Sequence, residues 1–224
     1  MPSLPFLGYF CGRKDVATIV NSNRTAKKMK LILASSSPRR REILKQIGLD
    51  YEPLDISVDE TIDPSVSPEK LALDIAKRKA IAASASSGDA AIIAADTIVV
   101  LEDGTVLGKP QNGLEAVRML QRLQGVKHTV ITAIALLNGS DGKLVAAYDK
   151  ADVTFLPMNA EEIEWYVSTG EPLDKAGAYG LQEKGMMFVQ KIEGSPSSVI
   201  GLPVHLLYQL FKRAGLDILS FIKK

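Results

Sequence analysis

The chain has 224 residues, of which 46% are hydrophobic and 24% charged, and its formal net charge is +1. This composition is typical of a globular protein that is long enough to bury a sizeable core. No apolar run approaches the roughly 20 residues that span a bilayer, so a membrane role is not indicated. The single cysteine, Cys11, cannot form an intramolecular disulfide, which favours a reducing, cytoplasmic location.

Charge is distributed unevenly along the chain. Residues 1–30 carry a net charge of +5, and residues 31–224 therefore carry −4. A negatively charged body argues against a general nucleic-acid-binding protein, because such binding depends on neutralising phosphates. Residues 1–29 show no periodicity and no signal-peptide pattern; we interpret them as a disordered arm or a translation start placed too early, with a weak targeting segment as the alternative. We expect the fold to begin near Lys30.

The first predicted elements are a strand at 31–34 and a helix that begins at Ser37-Pro38. A strand that turns directly into a helix leaves unpaired N–H groups and the positive end of the helix dipole at one spot. Three serines and three arginines surround that spot (Ser35, Ser36, Ser37, Arg39, Arg40 and Arg41). This pattern indicates an anion site, most plausibly for phosphate. The alternative is an ordinary helix start with solvated arginines.

Further elements follow in alternation along the chain. The patterns predict further strands at 51–58, 90–101, 106–107, 129–137, 148–156 and 186–192, and further helices that begin near residues 68, 113, 160 and 204. Residues 171–182 are rich in small residues and predict a tight irregular loop. Since the strands outnumber the helical crossovers, we predict an α/β fold with a mixed sheet.

Two charged residues lie where the pattern predicts burial. Asp96 interrupts the most apolar run of the chain, and a carboxylate there requires a metal, a cation or hydrogen-bond donors. The alternative is a strand end at which Asp96 caps a turn. Lys79 follows Ile75 by four residues, near the buried face of its helix, and the alternative is that it belongs to a solvated basic cluster with Lys77 and Arg78.

Common catalytic motifs are missing: the sequence contains no phosphate-binding loop, no dinucleotide-binding glycine pattern, no nucleophile elbow and no zinc spacing. The two histidines, His128 and His205, are isolated, and we expect structural or surface roles for them. What remains are carboxylates and cations at strand ends and in loops, namely Asp59, Glu60, Asp96 and Asp174 with Arg39, Arg40, Lys79, Lys109 and Lys175. This set favours metal-assisted hydrolysis of a phosphorylated small molecule, and it names no substrate.

Four segments in register resemble one family. Ser-Ser-Ser-Pro-Arg-Arg at 35–40, Ala-Asp-Thr-Ile-Val at 95–99, Gly-Lys-Pro at 108–110 and the segment 170–182 resemble the Maf family of nucleoside triphosphate pyrophosphatases, from about residue 30 to about residue 217. The resemblance implies a single catalytic domain over 30–224. Its fold would be a mixed, twisted sheet with flanking helices, in two lobes around a central cleft, similar to the inosine triphosphate pyrophosphatases. It also implies metal-dependent hydrolysis, with Mg²⁺ or Mn²⁺, of a nucleoside triphosphate to its monophosphate and pyrophosphate.

Residue roles are carried over by motif. The resemblance implies catalytic roles for Asp96, Glu60, Lys79 and Lys109, and metal binding by Glu60 and Asp96. Asp96 would be the proton acceptor, although the roles of ligand and base cannot be separated on sequence. The implied substrate-binding residues are Ser35, Arg39, Arg40, Thr97, Asp174, Lys175 and Gln182.

Three of these residues (Arg40, Thr97 and Gln182) match the branch of the family that acts on dTTP and UTP, and modified pyrimidine nucleotides are further expected substrates. A glutamine amide can pair with the acceptor–donor edge of uracil or thymine. One departure is Glu183, which stands where the family usually has glycine. A homodimer is expected at the family level. The alternative function is a non-catalytic nucleotide-binding regulator of cell division or septum formation.

Overall fold

A computed structural model describes residues 29–63 and 65–223. Its strands are β1 (Leu31–Ala34), β2 (Glu52–Leu54), β3 (Ala91–Leu101), β4 (Val106–Leu107), β5 (Lys127–Asn138), β6 (Lys143–Phe155) and β7 (Val189–Glu193). Its α-helices are α1 (Pro38–Gln46), α2 (Pro68–Ser84), α3 (Gly113–Leu123), α4 (Ala160–Ser168), α5 (Pro196–Ile200) and α6 (Val204–Arg213). The predicted arm lies outside the described residues except for Met29, which packs against the core.

The described strands form one seven-stranded sheet in the order β2-β1-β3-β5-β6-β7, with β4 paired to β3. β1 runs parallel to both β2 and β3, whereas the β3–β5, β5–β6 and β6–β7 pairs are antiparallel. The prediction of a mixed sheet with flanking helices is thus confirmed. β3 is the central strand, as its apolar run predicted.

Helix starts follow the predicted signals. Proline occupies the first turn of α1 and α2, and the Ser67 hydroxyl caps α2 at the Lys70 N–H. Asn159 and Glu162 form a complete capping box on α4. At α3, Asn112 caps the Glu115 N–H, but the Glu115 carboxylate accepts from the N–H of Gln111 and not from that of Asn112, so a capping box is only half formed there.

Three apolar clusters share the long strands. The first packs α1 and α6 on one face of the sheet, through Ala91, Ile93 and Ala95 of β3. The second packs α2 on the opposite face, and the third joins α3 and α4 to the far end of β3 beyond Ile98. Asp96 and Thr97 belong to none of the three clusters. They lie on β3 between Ala95, which belongs to the first cluster, and Val99, which belongs to the third.

Several predicted bounds differ from the structure. β2 is an edge strand whose pairing with β1 ends at Leu54, and the next residue, Asp55, forms an ion pair with Arg41 of α1. β6 begins at residue 143 because a tight turn extends its hairpin with β5, and residues 184–188 form a 3₁₀-helix instead of the start of β7. The five-residue helix α5 was missed.

Ile81 and Leu114 share helical spacing with the buried apolar residues of α2 and α3, but both side chains are exposed. Helical spacing alone therefore overestimated the apolar faces of these two helices. Within the described ranges, no helix is both long and apolar enough to cross a bilayer.

Candidate active site

A cavity of about 670 Å³ opens beside β3, between the first turn of α1, the loop over 56–62 and the segment 174–181. This volume is typical of a small-molecule site. Ten of the eleven predicted site residues line the cavity, namely Ser35, Arg39, Arg40, Glu60, Lys79, Asp96, Thr97, Lys109, Asp174 and Lys175. Gln182 is the exception: its neighbours Gly180 and Leu181 belong to the wall, but Gln182 itself does not.

The cavity floor is formed by β3 and α2. β3 carries Asp96 at its sixth position, and α2 packs against the sheet with Lys79 on its buried face; each of the two residues is only 6% exposed. Asp96 is therefore a mid-strand carboxylate with a cationic partner, and the turn-capping alternative is wrong. The solvated-cluster alternative is likewise wrong for Lys79.

Lys79 bridges two carboxylates. Its Nζ lies 2.6 Å from Oε1 of Glu60 and 2.7 Å from Oδ1 of Asp96. Burial raises the pKa of Asp96, and the charges of Lys79 and Arg40 oppose this only in part. For Glu60, burial also acts to raise the pKa, but Lys79 together with Lys109 and Arg40 holds it below its ordinary value. Environments that push two carboxyl pKa values apart are typical of acid–base pairs, and Asp96 is the better proton acceptor of the two.

The donor set can be tested against a divalent cation. Among the described residues, no group of three or more His, Cys, Asp or Glu side chains could hold a metal ion. Glu60 and Asp96 nevertheless supply hard oxygen donors, and both already contact a cation, the Lys79 ammonium. Mg²⁺ is commonly held by one or two carboxylates, with water and substrate phosphate as its other ligands. The residues present fit that mode of binding.

One wall of the cavity holds paired cations. Nη1 of Arg39 donates to Oδ2 of Asp174 at 2.8 Å, and Nζ of Lys175 donates to Oδ1 of the same carboxylate at 2.8 Å. Although burial acts to raise it, the pKa of Asp174 is held below its ordinary value by these two donors. Asp174 thus fixes two cations at the cavity wall, beside the first turn of α1. Lys109 lies on the same wall, is exposed and forms no ion pair within the described part of the chain.

Arg40 is held in place by the protein. Its Nε donates to the Gly201 carbonyl at 2.8 Å, Nη1 to the Ser35 hydroxyl at 3.2 Å and Nη2 to the Thr97 hydroxyl at 3.0 Å. Burial lowers the pKa of Arg40, and the charge of Asp96 opposes that effect. A guanidinium has five N–H donors, so two remain for a ligand.

Sequence reasoning missed Thr132, which continues this network. Thr132 lies opposite Thr97 in the β3–β5 register, and the two hydroxyl oxygens are 2.9 Å apart. Because Thr132 donates its only proton to the Ser198 carbonyl at 2.8 Å, Thr97 must donate to Thr132. Thr97 can then only accept a hydrogen bond from a ligand. A threonine within the apolar run of β5 was the available signal.

Gln182 and Glu183 lie at the edge of the cavity. Gln182 is half-buried next to the wall residue Leu181, and Glu183 is exposed. The backbone φ of Glu183 is −129°, outside the left-handed region that favours glycine. A residue other than glycine is therefore accommodated at this position without left-handed strain.

The fold and the site together define an α/β protein with a cavity lined by cations and carboxylates beside its central strand. The model of the Maf-like protein family matches residues 30–214, so the chain belongs to the Maf family.

Curated relatives extend this comparison. A dTTP/UTP pyrophosphatase from Caldicellulosiruptor saccharolyticus is 43% identical over 195 residues, which cover 85% of this chain and 98% of the relative. The dTTP/UTP pyrophosphatases from Pelotomaculum thermopropionicum and Bacillus cereus are each 43% identical over 189 residues, which cover 84% of this chain and 98% and 97% of the relatives. Among solved structures, a HAM1 protein from Coxiella burnetii matches 83% of this chain and 100% of its own, with a TM-score of 0.44 and 13% identity.

Proposed function

We propose that this protein hydrolyses nucleoside triphosphates, dTTP and UTP among them, to the monophosphate and pyrophosphate. The observation that carries the proposal is the contact of Asp96, Lys79 and Glu60 in a cavity whose walls supply further cations. The substrate class follows from relatives that share 43% identity over most of the chain and are named dTTP/UTP pyrophosphatases.

In this proposal the phosphates bind along the cation wall. Arg39, Lys109 and Lys175 neutralise them, and the N–H groups at the start of α1 add donors because the Ser37 side chain does not cap that helix. Asp96 accepts the proton of a water that attacks the α-phosphorus, and the bond to the departing pyrophosphate breaks. The ammonium of Lys79 keeps Asp96 oriented during this transfer.

A divalent cation, Mg²⁺ or Mn²⁺, is the proposed cofactor, and Glu60 and Asp96 would hold it. It would supply charge neutralisation and a lowered pKa of bound water. The cavity itself carries five cationic and four carboxylate side chains, so its formal charge is close to neutral. A triphosphate therefore needs additional positive charge, which supports the expectation of a cation.

Base recognition is proposed for Thr97 and Arg40, which line the cavity, and for Gln182, which follows the wall residue Leu181. Thr97 offers only an acceptor and Arg40 only donors, whereas the Gln182 amide can supply both. The ring edge of uracil or thymine presents two acceptors around one donor, which such a set can satisfy. Modified pyrimidine nucleotides with the same edge are further proposed substrates.

A substrate panel tests the proposal. The purified protein is incubated with dTTP, UTP, CTP and GTP, with Mg²⁺ or Mn²⁺ or with a chelator, and pyrophosphate is measured. We expect turnover of dTTP and UTP, and its loss in the chelator. Binding without turnover at saturating metal would favour the nucleotide-binding regulator instead, and no turnover of any nucleotide would refute the enzyme. A cytoplasmic location and a homodimer stay predictions.

A further inference from the structure

The segment 180–185 forms a closed loop at the rim of the cavity. Its two ends touch: a Cβ added to Gly185 would lie 2.5 Å from the Gly180 oxygen and 2.4 Å from the Tyr166 hydroxyl. Glycine is therefore required at position 185 for this close approach. Gly180 and Leu181 line the cavity, and Gln182 follows directly. The position of the loop consequently determines what this rim presents to a ligand.

Two side chains outside the cavity hold the loop at both ends. Oε1 of Glu171 accepts from the Tyr166 hydroxyl at 2.9 Å and from the Gly185 N–H at 3.1 Å, and its Oε2 accepts from the Lys184 N–H at 3.0 Å. The Tyr166 hydroxyl in turn accepts from the Gly180 N–H at 3.2 Å. Each end of the loop is thus tied to the same pair of side chains.

Glu171 is a buried carboxylate that does not line the cavity. Its side chain is 2% exposed, and Lys184 Nζ, itself largely solvated, is 4.0 Å away. Two backbone N–H groups and one hydroxyl therefore take the place of water around this carboxylate. Hydrogen bonds to a charged acceptor are stronger than those between neutral groups. Burying a carboxylate is costly unless it is fully hydrogen-bonded. The bonds that compensate this one all lead to the loop or to Tyr166.

We propose that Glu171 and Tyr166 are positioning residues that hold the loop over 180–185 and thereby set which nucleobase the cavity accepts. This inference rests on the proposed function, since it assigns the loop to base recognition. Of the side chains proposed to bind phosphate, Arg39 and Lys109 lie on other segments. Lys175 packs against Gly180, but its Nζ is held by the Glu171 carbonyl and the Asp174 carboxylate, and neither bond involves the Glu171 carboxylate or the Tyr166 hydroxyl. Releasing the loop is therefore expected to change the choice of base more than the turnover of bound substrate.

The test uses Tyr166→Phe and Glu171→Gln in the full chain. Matched controls are Tyr208→Phe and Glu164→Gln, which make the same chemical changes at exposed positions. The value of kcat/KM is measured for dTTP, UTP, CTP and GTP, and hydrogen exchange is followed at the amides of Gly180 and Gly185. Circular dichroism checks that each variant is folded. Tyr166→Phe keeps the aromatic ring and two of the three bonds to Glu171, so it remains informative if Glu171→Gln fails to fold.

We expect exchange at both amides to accelerate about 3- to 10-fold in Tyr166→Phe, because the Gly180 N–H loses its acceptor and the Glu171 carboxylate loses one of the three bonds that fix it against Gly185. The ratio of kcat/KM for dTTP to that for GTP should fall by a similar factor through KM, with kcat for dTTP within about twofold of wild type. The controls should match wild type. An unchanged ratio, or unchanged exchange, in the folded variants would overturn the inference.

Failure of the proposed function would be seen separately, as absence of turnover by the wild-type protein. In that case the ratio of Kd values for dTTP and GTP, measured by calorimetry, replaces the kinetic ratio. A wild-type preference that the variants lose would still support the positioning role. A preference that they keep, or no nucleotide binding at all, would overturn it.

Discussion

Asp96 shows how one residue gains its chemistry from its surroundings. Its position inside an apolar strand raises its pKa, and the Lys79 ammonium keeps it ionisable and oriented. We predict that Asp96→Asn, which keeps the shape but removes the base, lowers kcat by a factor of about 10²–10⁴. Pyrophosphate release from dTTP measures the effect. Asp89→Asn, an exposed change just before the same strand, should be fully active. An Asp96→Asn protein with more than about a third of wild-type activity would contradict the proposed proton transfer.

His128 gives a second prediction at the scale of the residue. It is buried against Phe155 and Tyr179, with its Nε2 2.8 Å from the Tyr179 hydroxyl, and Asp152 is the nearby charge. Burial lowers the pKa of His128 from 6.5 to about 4. The unfolded chain therefore binds a proton that the folded protein does not, and stability is lost as the pH falls from about 6.5 towards 4. The complete loss is about 3 kcal/mol.

Urea unfolding at pH 7, 6 and 5 checks the His128 prediction. We expect the free energy of unfolding to fall more steeply in the wild-type protein than in His128→Gln, which cannot titrate in this range. Carboxylates also titrate in this pH range, and they do so equally in both proteins. The difference between the two pH profiles of unfolding free energy therefore isolates the contribution of His128. Parallel pH profiles would show that His128 does not carry the effect.

Residue identities could be predicted where a charge broke an apolar pattern. Asp96 in its strand and Lys79 on its helix face carried such a signal, and the structure pairs them. The three hydrogen bonds that hold Arg40 could not be predicted, because one of its partners is the carbonyl of Gly201, 161 positions away. A backbone acceptor has no sequence signature. The interactions of Thr132 and Glu171 were missed for the same reason, since their bonds go largely to backbone groups.

At the scale of elements, the short helix α5 connects β5 to the site. Its Ser198 carbonyl accepts from Thr132, and the Ser198 hydroxyl donates to Asp149 of β6. Hydrogen bonds thus run from α5 through Thr132 and Thr97 to Arg40. The orientation of the Arg40 guanidinium therefore depends on an element outside the predicted motifs.

We predict that Thr132→Val, which is nearly isosteric, destabilises the protein by about 1–3 kcal/mol, because the Ser198 carbonyl loses a buried donor. It should also raise KM for dTTP severalfold, since Thr97 and Arg40 lose their fixed orientation. Urea unfolding and steady-state kinetics measure the two effects. Thr129→Val on the other face of the same strand removes a hydroxyl that binds Asp152 instead, and should leave KM unchanged. Equal KM values for the two variants would argue against the network.

Elements with a capping signal or a strong period were predictable from sequence, and α2, α4 and β3 are examples. α5 was not, because five residues are too few to establish a helical period. The bounds of β2 were wrong because the residue pattern over 51–58 does not show where pairing with β1 stops, which is at Leu54. Residues 56–58 of the cavity loop were consequently taken as the end of a strand, and Glu60 beyond them was identified as a site residue.

At the scale of the whole molecule, the site depends on cores that share strands. The cluster around α1 and α6 and the cluster around α3 and α4 both include residues of β3, and the cavity lies where they meet. The expected two lobes are therefore joined through the sheet and not by a linker. A strand common to both cores couples their stabilities, because neither can lose it and remain folded.

This coupling predicts a single unfolding transition. Leu44 is fully buried in the first cluster, and Leu44→Ala should cost about 2–5 kcal/mol and lower the urea midpoint by about 1–2 M. Trp165, the only tryptophan of the chain, lies on α4, the helix that contributes Ile163 and Tyr166 to the third cluster, so its fluorescence reports on the unfolding of that helix. We expect its midpoint to move together with that of circular dichroism, because the loss of α1 packing destabilises β3 for both cores. Leu219→Ala, at a side chain that is 71% exposed, should shift neither. If Leu44→Ala moved the circular dichroism transition and left that of Trp165 in place, the two cores would be independent folding units.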